Sequence, residues 1–193
     1  MEEKDIKKRI KDDVSLKGER IILKPIDMRY KEALADMLDD PGIVRFTHVP
    51  PGYTVDDATS YLQNTRRQKE QGISLDLGIF LLSTDKLIGK ITIISISFRD
   101  NNAEIGYLLD RRYRRKGYMS EALSLMLDFC FNALQLERVE INSSTENKGS
   151  IGVIEKAGAV FEGIARKKTK SGDRAWHDIR LYSILREEYK NDR

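Results

Sequence analysis

The stretch from Ala103 to Leu123, AEIGYLLDRRYRRKGYMSEAL, constrains the fold more than any other part of the chain. An apolar strand ends near Leu109, a basic turn holding Gly117 follows, and a helix begins at about Tyr118. Met119, Ala122, Leu123, Met126, Phe129, Cys130 and Ala133 recur at steps of three and four through about Leu134, one apolar stripe. A strand that feeds a helix through a glycine turn leaves backbone N–H groups at the positive end of the helix dipole. That is an anion site, best suited to phosphate. Gly117 removes a Cβ that would block close approach and permits a positive φ. Arg114, Arg115 and Lys116 add charge.

The remaining pattern surrounds this unit with a mixed α/β arrangement. Residues 1–16 are a charged extension, and both a frayed helix and a disordered tail fit them. Arg20 to Lys24 reads as a strand closed by Pro25, and Asp27 caps a helix through about Leu38. Pro41-Gly42 and Pro50-Pro51-Gly52 bracket a loop with Phe46 and His48. Thr54 with Asp57 opens a helix that Gly72 ends. Ile73–Ser83 and Lys86–Phe98 form a hairpin, and the apolar phase of the second strand slips at Ile93-Ile94, which predicts a bulge. Arg138–Ser144 is a strand and Asn147–Ala157 a helix that Gly158 ends. Val160–Lys168 and Arg174–Leu185 close the chain as a hairpin. No repeat, linker or low-complexity segment interrupts this order.

Composition bounds the function. The 193 residues suit one domain from residue 17 to 193 beyond the extension. Lys plus Arg number 34 against 31 Asp plus Glu, a balance that argues against a dedicated nucleic-acid binder, so no direct nucleic-acid partner is expected. One Cys and two distant His leave no zinc-like spacing, so no metal is expected. The lone Cys130 permits no internal disulfide, which points to a reducing, cytoplasmic compartment. No apolar run approaches the length of a membrane span.

Several motifs carry a resemblance. Arg114-Arg115-Lys116-Gly117-Tyr118-Met119 resembles the Q/R-x-x-G-x-G/A pyrophosphate loop of the GCN5-related N-acetyltransferase (GNAT) superfamily. Ser120-Glu121-Ala122-Leu123 resembles the helix opening that follows it there, and IGYLLD the preceding strand. Asn147-Lys148-Gly149-Ser150 resembles the family's N-x-x-S turn, and Glu155-Lys156-Ala157-Gly158-Ala159 its E-K-x-G-F ending. The match runs from about Leu16 to the C-terminus and is nearest the branch of ribosomal-protein N-terminal (alanine/serine) acetyltransferases. It departs at Met119, where Gly or Ala is usual, and at Ala159-Val160.

The resemblance implies a mixed, mostly antiparallel sheet flanked by helices. It also implies a splay between the fourth and fifth strands, Ala103–Leu109 and Arg138–Ser144. It implies acetyl-CoA as co-substrate, its pantetheine arm against the backbone of Leu108 and Leu109 and its pyrophosphate on Arg114 through Ser120, with Asn147 and Ser150 also facing it. The acceptor is a primary amine, either a protein N-terminus, such as that of a ribosomal protein, or a small amine such as a polyamine, aminoglycoside or amino acid. A catalytically idle acetyl-CoA-binding or RNA-associated module is the alternative of another class. A monomer and a homodimer both fit.

Two side chains are candidates for the chemistry. Glu104 shares a strand face with Gly106 and Leu108 and is either a general base for the substrate ammonium or a solvated strand-end carboxylate. Ser150 is a donor to the leaving thiolate or to the cofactor, or a plain helix-start serine. The family's general-acid tyrosine has no evident counterpart. Cys130 belongs to the core stripe. His177-Asp178 reads as a surface pair beside Trp176 that could also line the substrate pocket. Arg166, Lys167, Lys168 and Lys170 read as a solvated hairpin able to attract an acidic partner.

Overall fold

The computed structural model describes residues 1–191. Its strands are β1 (Leu16–Lys17), β2 (Ile21–Lys24), β3 (Leu75–Leu81), β4 (Leu87–Ser97), β5 (Asn102–Leu109), β6 (Arg138–Ile141), β7 (Ser143–Ser144), β8 (Val160–Lys170) and β9 (Trp176–Leu185). Its helices are α1 (Glu3–Lys11), α2 (Lys31–Leu38), α3 (Pro41–Val44), α4 (Val55–Gln71), α5 (Tyr118–Asp128), α6 (Lys148–Lys156) and α7 (Arg186–Asn191). Strands β1 to β5 form an antiparallel run. β5 meets β6 in parallel, β6 and β7 lie in succession along one edge of β9, and β8 holds the other edge.

Two apolar clusters sandwich the sheet. Alternation along β5 sends Ala103, Ile105 and Tyr107 toward the cluster built on α5, and Leu108 toward the one built on α2 and α4. The α5 stripe is buried as its period requires. Met119 lies in it at 6% exposure, so the residue that departs from the loop pattern packs into the core. The helix ends in a π-turn at Phe129–Ala133, where the Leu134 N–H reaches back to the Phe129 carbonyl. Burial pushes the Cys130 thiol well above its usual range, which suits packing and not nucleophilic chemistry.

Local chemistry explains most boundaries. Thr54 and Asp57 make a reciprocal capping box on α4, and Gly72 closes it in the left-handed region at φ 71°. β4 bulges between Ile93 and Ser95. Three features differ from expectation. Of the two forms open to the charged extension the helical one is found, and it is not detached: α1 turns Ile6 and Ile10 into the main core, joined by Val14, an amphipathic stripe hidden by the density of charge around it. Within the expected 41–52 loop, Pro41–Val44 is a helical turn capped by Asp40. The expected strand 138–144 is broken at Asn142. Among the described residues no helix is long and apolar enough to cross a membrane.

Candidate active site

The break at Asn142 opens the sheet. β5 and β6 pair from Asn102 opposite Arg138 to Ile105 opposite Ile141, and no further. β7 then pairs only with β9. Gly106 to Leu109 keep β4 on one side and have no strand on the other. The slot so formed runs between β5 and the start of α6, and the turn into α5 lies at its mouth.

That turn is built from two left-handed residues, Arg115 at φ 62° and Gly117 at φ 81°. Among the described residues, no protein acceptor is found for the backbone N–H groups of Lys116 to Ser120. A row of free donors at a helix N-terminus is the geometry a phosphate needs, so the chain fits the implied pyrophosphate. A Cβ on Gly117 would stand 3.2 Å from Nη2 of Arg20. The glycine therefore meets the positive φ expected from the sequence, and its missing Cβ also leaves room for Arg20. Arg20 holds the turn from beneath: Nη1 donates to the Lys116 carbonyl at 2.9 Å, Nε donates to Glu121 at 2.9 Å, and its guanidinium lies over the Tyr118 ring.

The three loop cations differ in availability. Arg114 donates to the Asp40 carboxylate at 2.7 Å and to the Leu109 carbonyl at 3.0 Å. Leu109 thus has its carbonyl occupied, and because the Asp110 N–H donates to Ile88 on β4, alternation leaves the Tyr107 N–H and carbonyl and the Leu109 N–H on the open side. Lys116 donates to the Arg112 carbonyl at 3.0 Å. Arg115 is exposed and makes no ion pair among the described residues. Ser120 is half-buried in the first turn of α5.

The candidate chemical groups flank β5 on opposite faces. Glu104 is half-buried at the crotch of the slot, opposite Ser95 and Glu140, and accepts from Asn142 Nδ2 at 3.0 Å. On the other face Tyr107 reaches across the slot to α6. Its hydroxyl lies 3.0 Å from Ser150 Oγ and donates to the Ser150 carbonyl at 3.2 Å. Asn147 caps α6 through Oδ1, which accepts from the Ser150 N–H at 3.1 Å. Burial pushes the Tyr107 phenol up to about 12, against a smaller opposing effect of the Ser150 hydrogen bond. The phenol is therefore protonated near neutrality, and its one proton can turn from the Ser150 carbonyl to a ligand in the slot.

Tyr107, Asn142 and Arg20 were not singled out in the sequence. Tyr107 alternates with Ile105 and reads as core, and nothing local marks Arg20 or Asn142. His177 is not a surface residue: it is buried, with Nδ1 3.2 Å from Ser144 Oγ and Nε2 3.0 Å from Ser171 Oγ. A second polar cluster lies on the Leu108 side of the sheet. Asp76 accepts from Lys90 at 2.9 Å and from Tyr61 at 2.9 Å, and also from Thr92. Burial pushes the Asp76 carboxyl up and the Lys90 ammonium down, each toward neutrality.

A sheet opened beside a helix N-terminus with free donors defines a class of transferase that draws a phosphate-bearing co-substrate into its sheet. Comparison with known proteins gives the family. A family model described as an acetyltransferase (GNAT) domain matches residues 20–160. The chain is 33% identical to "Probable N-acetyltransferase YjcK" of Bacillus subtilis over 88% of its own length and 96% of that protein. It is 30% identical to the ribosomal-protein-serine acetyltransferase of Escherichia coli over 54% of its length and 58% of that protein. Mycobacterium smegmatis RimJ, solved in complex with CoA-disulfide, superposes with a TM-score of 0.84 at 25% identity, covering 92% of this chain and 90% of that one. The chain belongs to the GNAT acetyltransferase family and is an N-acetyltransferase.

Proposed function

We propose that the protein transfers the acetyl group of acetyl-CoA to the α-amine of a protein N-terminus, of the ribosomal-protein kind, by direct attack. Acetyl-CoA supplies the activated thioester. The N–H groups of residues 116–120, with Arg115 and the released side chains of Arg114 and Lys116, hold the pyrophosphate. The open edge of β5 at Tyr107–Leu109 pairs with the pantetheine arm, and Asn147 fixes the start of α6 beside it. Glu104 takes the proton of the attacking ammonium, directly or through water, while Asn142 holds its carboxylate in place. As the N–C bond forms and the C–S bond breaks, Tyr107 and Ser150 donate to the sulfur. A phenol near 12 outlasts a thiol of about 8.5, so Tyr107 stabilises the thiolate by hydrogen bonding and keeps its own proton, and the thiolate leaves as the thiol by taking, through water, the second proton that the nitrogen sheds as the amide forms.

The observation that carries this reading is the placement of Glu104 and of the Tyr107–Ser150 pair on opposite faces of β5 at the same slot. An amine arriving from one face and a thiolate held from the other is the geometry of direct transfer. An α-amine suits the base, because its ordinary pKa of about 7.7–8.0 against about 10.4 for lysine leaves little proton to remove. The relative and the solved structure named for ribosomal-protein and RimJ acetyltransferases support the acceptor class.

The small-amine alternative would look to the acidic cleft of about 490 Å³ between α2 and Asp110–Arg112. There Arg112 is shared by Asp36 and Asp110, and Arg114 engages Asp40, so three of the cleft's carboxylates already have a cation partner that a polyamine would have to displace. The test is thiol release from acetyl-CoA with peptides bearing a free N-terminal Ala or Ser. These are compared with the same peptides blocked at the terminus and carrying an internal Lys, and with spermidine. Higher kcat/KM on the free termini is expected; turnover of spermidine alone would overturn the acceptor.

A further inference from the structure

The overall charge balance hides a local one. The chain's excess is three positive charges. Residues 160–185 hold six cations (Arg166, Lys167, Lys168, Lys170, Arg174 and Arg180) against Glu162, Asp173 and Asp178. The whole excess therefore sits on the β8–β9 hairpin, and the rest of the chain is neutral. Glu162 pairs with Arg138 of β6, outside the hairpin, and Asp173 accepts from Ser171. Asp178 accepts from the Lys167 backbone, and Glu155 of α6 faces Arg180. Arg166, Lys167, Lys168, Lys170 and Arg174 are exposed and make no ion pair among the described residues.

The same hairpin exposes large apolar side chains on one face. Phe161 lies opposite Tyr182, Ile164 opposite Arg180, and Lys170 opposite Trp176. Residues 176, 180 and 182 alternate onto a single face of β9, so Phe161, Ile164 and Trp176 share it. They are 46%, 52% and 54% exposed. Cations stack on both aromatics: Arg180 lies 4.9 Å from the Phe161 ring centroid, and Lys170 4.7 Å from that of Trp176. From Tyr182 to Trp176 this track is about 20 Å long. The opposite face of the tip is already used. There Gly172 donates its N–H to the Thr47 carbonyl at 2.7 Å, and buried His177 faces Phe46.

We infer that this outward face of the β8–β9 hairpin is a docking surface for single-stranded RNA. Exposed aromatic rings, each with a cation over it, beside the cations Arg166, Lys167, Lys168, Lys170 and Arg174 that make no ion pair among the described residues, match stacked bases strung on phosphates. A duplex would hide those bases. A second copy of the chain is disfavoured at the same place. β8 is an edge strand, but Glu162 bulges it and two extra residues bulge it again between Ala165 and Thr169. A symmetric pairing would also set one lysine cluster against the other. The choice of RNA rests on the proposed acceptor class: an N-terminus presented by a ribosomal particle lies beside RNA, and the hairpin tip packs on the segment around Phe46, whose neighbours Ile43 and Val49 join the Leu108 cluster.

The test uses the full chain and a fluorescein-labelled 12-nucleotide oligouridylate, read by fluorescence anisotropy. Binding should weaken with salt at a log–log slope of about −2 to −3.5, as three to five cations release counterions from a single strand. Lys168→Gln with Lys170→Gln should flatten that slope by about 1.4. Trp176→Ala should weaken binding at least tenfold with native circular dichroism. No binding at 50 mM salt, wild-type affinity in Trp176→Ala, or equal competition by polyglutamate would overturn the inference, the last in favour of an acidic protein. Tighter binding of oligothymidylate, or a dimer in sedimentation that Trp176→Ala dissociates, would overturn it too. Peptide acetylation is followed on the same preparation. Acetyl transfer without RNA binding defeats this inference alone, and RNA binding without acetyl transfer defeats the acceptor reading alone.

Discussion

Replacing Gly117 with alanine should separate the conformation of the pyrophosphate turn from the rest of the fold. The residue sits at φ 81°, and the new Cβ would stand 3.2 Å from Arg20 Nη2. Holding an L-residue there costs about 1–2 kcal/mol. In a chain of this size each kcal/mol moves Tm by roughly 2–4 °C, so a fall of about 2–8 °C is expected. Arg20 is 47% exposed, so displacing its ion pair with Glu121 adds little to that loss. The larger effect falls on the turn. A charge-assisted hydrogen bond is worth about 1.5–3 kcal/mol, so misdirecting one N–H weakens coenzyme A binding roughly ten- to a hundredfold. Isothermal calorimetry measures that directly. Gly117→Asn is the control, because asparagine tolerates the left-handed region, and it should retain most of the affinity. Wild-type affinity in Gly117→Ala alongside the expected fall in Tm would refute the assignment of this turn to the pyrophosphate.

Three further outcomes follow from the site and its surroundings. Ser150→Ala and Tyr107→Phe should each lower kcat more than they raise the acetyl-CoA KM, and their double mutant should lose less than the product of the two, because the hydroxyls act as one pair; independent effects would dissolve the pair. Glu104→Gln should cut kcat/KM and shift the limb on which it rises with pH, and a mutant with the wild-type rate and profile would return Glu104 to a solvated strand end. Lys90→Met should destabilise the fold by about 3–5 kcal/mol by leaving Asp76 buried without its cation. The sign with pH is fixed by the raised Asp76 carboxyl: stability is retained below its unfolded value and lost as pH rises through the folded one, so the deficit in chemical denaturation should be larger at pH 8 than at pH 4. An equal deficit at both would mean that Asp76 is not ionising there.

Much of the fold was legible because its signals are local. The α5 stripe, the Thr54–Asp57 capping box, the glycines that end α4 and α6, and the phase slip at Ile93-Ile94 each fix a boundary through their neighbours in sequence. The GNAT motifs added the order and the splay. Features that depend on distant partners were hidden. Ile6 and Ile10 become core only because α4 and the sheet lie beneath α1. His177 is buried because Ser144 and Ser171 approach it from separate elements. Tyr107 has the alternation of a core residue, and only the opening of the sheet at Asn142 brings its hydroxyl to Ser150. The loop cations looked equivalent in sequence, whereas Asp40, the cap of α3, engages Arg114, and Arg115 makes no ion pair among the described residues.

Direct transfer is the central claim, and two-substrate initial-rate kinetics test it most directly. With acetyl-CoA and a peptide bearing an N-terminal Ser both varied, double-reciprocal lines should intersect, because both substrates occupy the slot before the N–C bond forms. Intact-mass analysis of the enzyme incubated with acetyl-CoA alone should show no added acetyl group. Parallel lines together with an acetyl adduct on Ser150 or Cys130 would contradict the account and establish a covalent acetyl-enzyme in its place.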